Sequence, residues 1–210
     1  MAETPMPDFL RFSDEAAFQA AFSGWLGQEL PARGASATLR ASWFETPLGP
    51  LIAVSDAKSL RLLEFPERKI LPVELRRLTA SVKGSIAFGR YDPTDQIEAE
   101  MRAYFDGQLT QFETPMAPLG SVFTQEVWQA LRDIPLGETR AYGTLAREMG
   151  RPAATRAVAR ANGANPIAIA IPCHRLVGAD GTLTGYGGGL WRKQALIEME
   201  RSFASAFVAK

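Results

Sequence analysis

Asn165-Pro-Ile-Ala-Ile-Ala-Ile-Pro-Cys-His-Arg175 is the stretch on which the reading of this chain turns. Ile167, Ile169 and Ile171 alternate with Ala168 and Ala170, which predicts a buried, extended segment that delivers Cys173 to a fixed place. Pro172 fixes its own φ and keeps Ile171 extended, so that position is rigid. Cys173 is the only cysteine and His174 the only histidine of the chain. A lone cysteine is more often inert core than chemistry. Here a neighbouring imidazole and the Arg175 guanidinium favour thiolate over a thiol whose ordinary pKa is about 8.5. Consecutive residues do not face one another along a strand or a helix. A Cys173–His174 pair therefore needs a bend, or a water that carries the proton between them. The imidazole also needs an orienting acceptor, which Glu198 or Glu200 can supply from the last helix.

Downstream, Gly178-Ala-Asp-Gly-Thr-Leu-Thr-Gly-Tyr-Gly-Gly-Gly189 precedes a predicted helix over Leu190–Phe203. The loop lacks the Lys-Ser/Thr ending of a phosphate-binding loop and opens no GxGxxG after a strand. It reads as a lid offering backbone N–H groups to a flat ligand, or as a plain surface turn. Upstream, predicted helices over Tyr142–Met149 and Ala153–Asn162 flank Gly150-Arg-Pro152, the proportions of a helix-turn-helix. The second helix carries small side chains plus Arg156 and Arg160, four apart on one face. Five arginines and a single acid, Glu148, fall within 139–163. Arginine suits forked contacts to phosphates and bases, and small neighbours allow a close, sequence-tolerant approach to a narrow groove. A solvated charged face or an Ala-rich bundle helix is the plainer alternative.

The first half reads differently. Leu39–Thr46, Leu51–Val54 and Leu60–Phe65 are predicted strands, with a turn at Pro47-Leu-Gly-Pro50. Helices are expected over Val73–Val82 and Thr94–Phe105, the latter stopped by Gly107. The segment 110–120 crosses to the second half, whose first helix should be capped by Thr124 and bury Val127, Trp128 and Leu131. At the N-terminus, a helix capped by Ser13 places Phe18, Phe22, Trp25 and Leu26 at helical spacing before a linker at Gly34-Ala-Ser-Ala37. The expected fold class is an α/β N-terminal domain with an antiparallel sheet and an all-α C-terminal domain containing the helix-turn-helix.

Composition bounds the function. The chain has 210 residues, 23 Lys/Arg and 23 Asp/Glu, hence zero formal net charge. From Thr124 onward eleven basic residues face seven acidic ones, so a +4 half follows a −4 half. One cysteine excludes an intramolecular disulfide, and one Cys with one His cannot build a Cys/His zinc site. No run approaches the roughly 20 apolar residues of a membrane span, and residues 1–10 lack a signal-peptide pattern. No metal, cofactor or membrane partner is expected, and the location should be reducing and cytoplasmic.

Pro172-Cys-His-Arg175 after Asn165-Pro166 resembles the active-site signature of the O6-alkylguanine-DNA alkyltransferases, also called methylated-DNA–protein-cysteine methyltransferases. Gly137-Glu-Thr139, Tyr142, the Arg156 helix and Gly185-Tyr-Gly-Gly-Gly-Leu190 fit that family in the same order and spacing. The resemblance covers residues 39–203 and is nearest to the C-terminal, repair half of Ada-type proteins. The Phe12-Ser-Asp-Glu-Ala-Ala-Phe18 region resembles the last helices of an AraC-type regulator. The resemblance implies an arm over 1–38, a small RNase H-like scaffold over 39–120 and a winged-helix-like, alkyl-accepting domain over 121–210. It implies a monomer acting on double-stranded DNA that contains O6-alkylguanine, and O4-alkylthymine, by one irreversible alkyl transfer after base flipping. Carried over by motif position, Cys173 is the acceptor and His174 its base through a water, held by Glu200. Tyr142 aids extrusion and protonates the departing guanine, Arg156 fills the gap in the duplex, and Arg160 shares its face. Asn165 braces the turn before the cysteine. Tyr186, Gly187 and Gly188 close over the base, with a Gly187 N–H near O6. Ala168 stands where some members have proline, and Gly187 where some have serine; both should leave the pocket wall smaller or more mobile. A multiple-turnover Cys-His hydrolase and a DNA-binding module with an inert cysteine are the competing functions.

Overall fold

The computed structural model describes residues 10–31, 36–82 and 84–208, with side chains to residue 205. Four strands form one sheet: β1 (Leu39–Phe44), β2 (Leu51–Ser55), β3 (Leu60–Glu64) and β4 (Ile86–Phe88), in the order β3-β2-β1-β4. The first three are antiparallel neighbours, as the two short connections require. β4 joins β1 in parallel, so the sheet is mixed rather than antiparallel throughout. Three residues are too few to show an alternation, which is why this strand is not legible in the sequence.

Every residue of β2 is buried because both faces of the sheet are covered. One face places Leu39, Ala41, Ile52, Val54 and Leu62 against α1 (Glu15–Leu26) and α2 (Leu71–Ser81). Phe18 and Phe22 of α1 are fully buried there, and Phe18 meets Phe12, Trp43 and Phe88 at ring-centroid distances of 5.4, 6.4 and 5.8 Å. The cap of α1 is Asp14, not Ser13: its carboxylate accepts from the Ala17 N–H at 2.8 Å. α2 starts two residues earlier than expected because Pro72 suits the first turn, where no amide hydrogen is needed. Part of the predicted linker, and the tail before residue 10, lie outside the described residues.

The opposite face, through Leu51, Ala53, Leu60 and Leu63, shares one core with α3 (Asp92–Phe105) and the second half of the chain. There α4 (Val122–Arg132) buries Val127, Trp128 and Leu131; Ser121, not Thr124, is its cap. α5 (Tyr142–Glu148), a 3₁₀ turn (Pro152–Ala154) and α6 (Thr155–Gly163) form the two-helix unit, and Trp128 Nε1 donates to Ala161 O of α6 at 2.9 Å. This half is not purely helical: β5 (Arg140–Ala141) and β6 (Leu176–Val177) pair in parallel. α7 (Leu190–Val208) closes the chain. Among the described residues no helix is long and apolar enough to cross a membrane.

Because α1 supplies two of the sheet's fully buried aromatic rings, Phe18→Ala should cost about 3–5 kcal/mol. A lowered urea midpoint with an unchanged denaturant slope would register that loss.

Candidate active site

The stretch expected to be extended is instead folded on itself. Asn165 is buried, and its Nδ2 donates to Ile167 O at 3.1 Å and Ile171 O at 2.8 Å while its Oδ1 accepts from Ile167 N at 3.0 Å. One side chain thereby satisfies backbone groups that a strand would give to a neighbour. Backbone bonds from Ala170 N to Ala168 O and from Ile171 N to Ile167 O close the turn. Ile169 takes φ +67°, a costly conformation for a β-branched residue, and is held there by burial. Only the first residues keep strand character, where Leu63 N donates to Pro166 O and Ala168 N to Leu63 O at the end of β3. The Ile/Ala alternation thus reflects burial on all sides, not an extended period.

The turn delivers Cys173 to the start of a one-turn 3₁₀ helix, Cys173–Arg175. His174 is fully buried, and its Nε2 lies 3.0 Å from Glu200 Oε1. Glu198 is exposed and accepts from Gln194 instead. Glu200 also receives Arg175 Nε at 2.9 Å, Arg175 Nη2 at 2.8 Å, Tyr104 Oη at 2.8 Å and the Gly137 N–H at 3.3 Å. Arg175 therefore serves Glu200 rather than the thiol. Burial pushes the Cys173 thiol up to about 11, opposed by a hydrogen bond with Asn165, so the resting sulfur is protonated at neutral pH. This is opposite to the thiolate expected from the sequence. Burial also holds His174 below its ordinary value despite Glu200, leaving a neutral imidazole. Glu200 is itself buried, but His174 and Arg175 keep it well below the usual carboxylate range. With Nε2–H donated to a carboxylate, Nδ1 is the basic nitrogen, and it has no hydrogen-bond partner among the described residues.

The glycine-rich loop is already packed on this site. A Cβ at Gly188 would lie 2.6 Å from the Phe65 ring, and one at Gly187 would lie 2.9 Å from Arg68 Nη1. The Tyr186 ring stands edge-on to His174 at 6.5 Å, and its buried hydroxyl has no hydrogen-bond partner among the described residues. Tyr142, at the first position of α5, reaches the same loop through its hydroxyl, 3.5 Å from Thr184 Oγ1. Lys193 is buried beside the site and donates to Leu176 O and to Thr184 O; desolvation lowers it to about 8. Lys193, Glu64 and Arg68 escape sequence reasoning because their charges suggest surface, and only burial reveals them.

Arg156 and Arg160 are not part of this cluster. They stand exposed on the outer face of α6 with no ion pair among the described residues. Arg140 pairs with Glu138 and Glu148, and Arg151 with Glu126. Arg147 turns to Thr144 Oγ1. Among the described residues no group of three or more His, Cys, Asp or Glu could hold a metal ion.

Residues 122–202 match the family model of the 6-O-methylguanine DNA methyltransferase DNA-binding domain. A Mycobacterium tuberculosis methylated-DNA–protein-cysteine methyltransferase is 44% identical over 162 residues, covering 77% of this chain and 92% of its own. Its namesake from Shigella flexneri is 43% identical, covering 74% and 91%. The chain belongs to the methylated-DNA–protein-cysteine methyltransferase family. The solved Mycobacterium tuberculosis O6-methylguanine methyltransferase superposes with a TM-score of 0.67 at 41% identity, covering 78% of this chain and 93% of that one. A structure of the OGT protein from the same organism in complex with DNA gives 0.66 at 40%, covering 79% and 93%. The α5–α6 unit and the turn that carries Cys173 both fall inside the matched region.

Five donated hydrogens converge on Glu200, so Glu200→Gln leaves Arg175 buried without its counter-charge. The expected loss is about 3 kcal/mol at pH 7. Since the folded-state pKa of Glu200 is depressed, its contribution is complete above the ordinary carboxylate value and fades as pH falls below it. Urea unfolding should show the gap between wild type and Glu200→Gln narrowing below about pH 4.5.

Proposed function

We propose that this protein reverses O6-alkylguanine damage in double-stranded DNA by moving the alkyl group onto Cys173, once per molecule. The observation that carries this reading is a buried, protonated thiol on a rigid turn, beside a neutral imidazole that Glu200 orients. Such a thiol cannot reach a base stacked in a duplex, so the base must be flipped to it at a cost of a few kcal/mol. His174 Nδ1 takes the thiol proton through a water. Sulfur attacks the alkyl carbon, the carbon–O6 bond breaks, and its electron pair leaves with guanine. Tyr142 protonates that guanine, since the purine anion is a poor leaving group. A thioether does not hydrolyse, so no step restores the thiol and no cofactor takes part. O4-alkylthymine presents the same alkyl–oxygen bond and is a further substrate in this reading.

Asn165 braces the acceptor turn, and Tyr186, Gly187 and Gly188 cover the flipped base, with the Gly187 N–H toward O6. Arg156 enters the space the base vacates while Arg160 meets the backbone; their exposure without acidic partners supports this. The β5–β6 pair beside α5 and α6 supports a winged-helix form of the helix-turn-helix. We assign residues 1–38 to an N-terminal arm, 39–120 to the scaffold and 121–210 to the DNA-binding, alkyl-accepting domain of a monomer. A reducing cytoplasm is the compartment that keeps the lone thiol available.

Incubation with a duplex carrying O6-methylguanine should raise the intact mass by one methylene, and Cys173→Ala should abolish the gain. An unchanged wild-type mass, or repeated turnover without mass gain, would sink the proposal. The wild-type rate should be level near pH 7–8 and fall as pH drops through the depressed His174 value, because the base becomes protonated. In His174→Gln the rate should instead keep rising toward about pH 11, following ionisation of the thiol itself. Arg156→Ala should leave stability within about 0.5 kcal/mol. It should slow reaction with duplex DNA about 100-fold, on the scale of lost positioning, yet spare reaction with free O6-benzylguanine.

A further inference from the structure

Among the contacts between the first half and the Cys173 segment, one buried side chain bridges two parts of the second half at once. Arg68 lies between β3 and α2 and is only 6% exposed. Its Nη1 donates to Glu64 and, at 2.9 Å, to Asn165 O; its Nη2 donates to Glu74 and to Gly163 O, each at 2.9 Å. Gly163 ends α6 and Asn165 opens the acceptor turn. A single planar fork thus joins the end of the DNA-facing helix to the start of the segment that carries Cys173. The cation also sits where the α6 carbonyls carry partial negative charge. The same guanidinium backs the glycine-rich loop, since a Cβ at Gly187 would meet Nη1 at 2.9 Å and Cδ at 3.3 Å. The far end of an arginine normally moves aside, but four acceptors hold this one in place. Glu64 and Arg68 also act electrostatically on the Cys173 sulfur with opposite signs.

We propose that Arg68 is a positioning residue for alkyl transfer, and that position 187 is glycine because the Arg68 guanidinium fills the space a side chain there would need. The inference rests on the alkyl-transfer reading above. It makes the Gly187 departure a consequence of Arg68 rather than a source of loop mobility. Lysine cannot replace the fork: its three donors radiate from one nitrogen and cannot span four acceptors on two sides.

The test is single-turnover methyl transfer from an O6-methylguanine duplex in excess, with amplitude and rate constant read separately. Amplitude, in methyl groups per protein, counts molecules that fold and react; the rate constant reports positioning. Arg68→Lys should keep full amplitude while its rate constant falls about ten-fold or more, the scale of a misplaced reacting group. Gly187→Ser should slow the reaction similarly. The double variant should be no slower than the slower single one, because the shorter lysine frees the space for serine, a coupling that independent sites would not show. Wild-type rate constants in either single variant, an effect on amplitude alone, or multiplying rate losses would each overturn the proposal. If Arg68→Lys does not fold, Gly187→Ser decides alone: slowed transfer supports the contact and an unchanged rate constant overturns it. Failure of wild type to accept a methyl group would instead remove the alkyl-transfer reading itself.

Discussion

A carboxylate can be buried at neutral pH only if its oxygens are met by enough charge and hydrogen-bond donors to offset the water it loses. Glu200 is such a carboxylate, and elements of both halves are assembled around it. α7 brings Glu200, the 3₁₀ turn brings His174 and Arg175, α3 brings Tyr104, and the turn before β5 brings the Gly137 amide. Three separate parts of the chain thus donate to one pair of oxygens on α7. The consequence for chemistry is the tautomer of His174. With Nε2 committed to Glu200, Nδ1 is the basic nitrogen, and it has no hydrogen-bond partner among the described residues. Arg175, which on sequence grounds looked like an activator of the sulfur, stabilises the orienting acid instead.

The 165–173 turn that carries Cys173 is held together in a related way. Asn165 acts as a small piece of backbone, giving and receiving the hydrogen bonds of a turn that has no strand beside it for most of its length. Ile169 is held in a left-handed conformation within that turn, against its own preference. Burial keeps the Cys173 thiol protonated at neutral pH, which also guards it against oxidation and stray alkylation.

Electrostatics divide the molecule by task. Arg140 and Arg151, flanking α5, are tied to acids and Arg147 to a threonine, which leaves Arg156 and Arg160 facing outward on α6. Zero net charge overall is therefore compatible with an outward-facing basic surface on α6, because the acidic excess lies before residue 124, most of it before residue 39. Association should weaken with added salt, as phosphate contacts require.

Pattern alone reveals the strands β1 to β3, the helices of both halves, the adjacency of Cys173 and His174, and the charge asymmetry. Each of these depends on residue type and on local period, which a sequence displays directly. It cannot show β4, whose three residues carry no period, or the folding of the 165–173 stretch, whose Ile/Ala alternation imitates a strand because it is buried on every side. Nor can it choose between Glu198 and Glu200: both are acids on α7, and only the rotation of that helix against the 3₁₀ turn buries one and exposes the other. The sign of the thiol's shift was likewise a matter of tertiary structure. Neighbouring charge in the sequence argues for thiolate, but desolvation in the folded protein outweighs it. Arg68 is the plainest case, an arginine in a charged loop whose four acceptors come from β3, α2, α6 and the acceptor turn, and meet only when the two halves share a core.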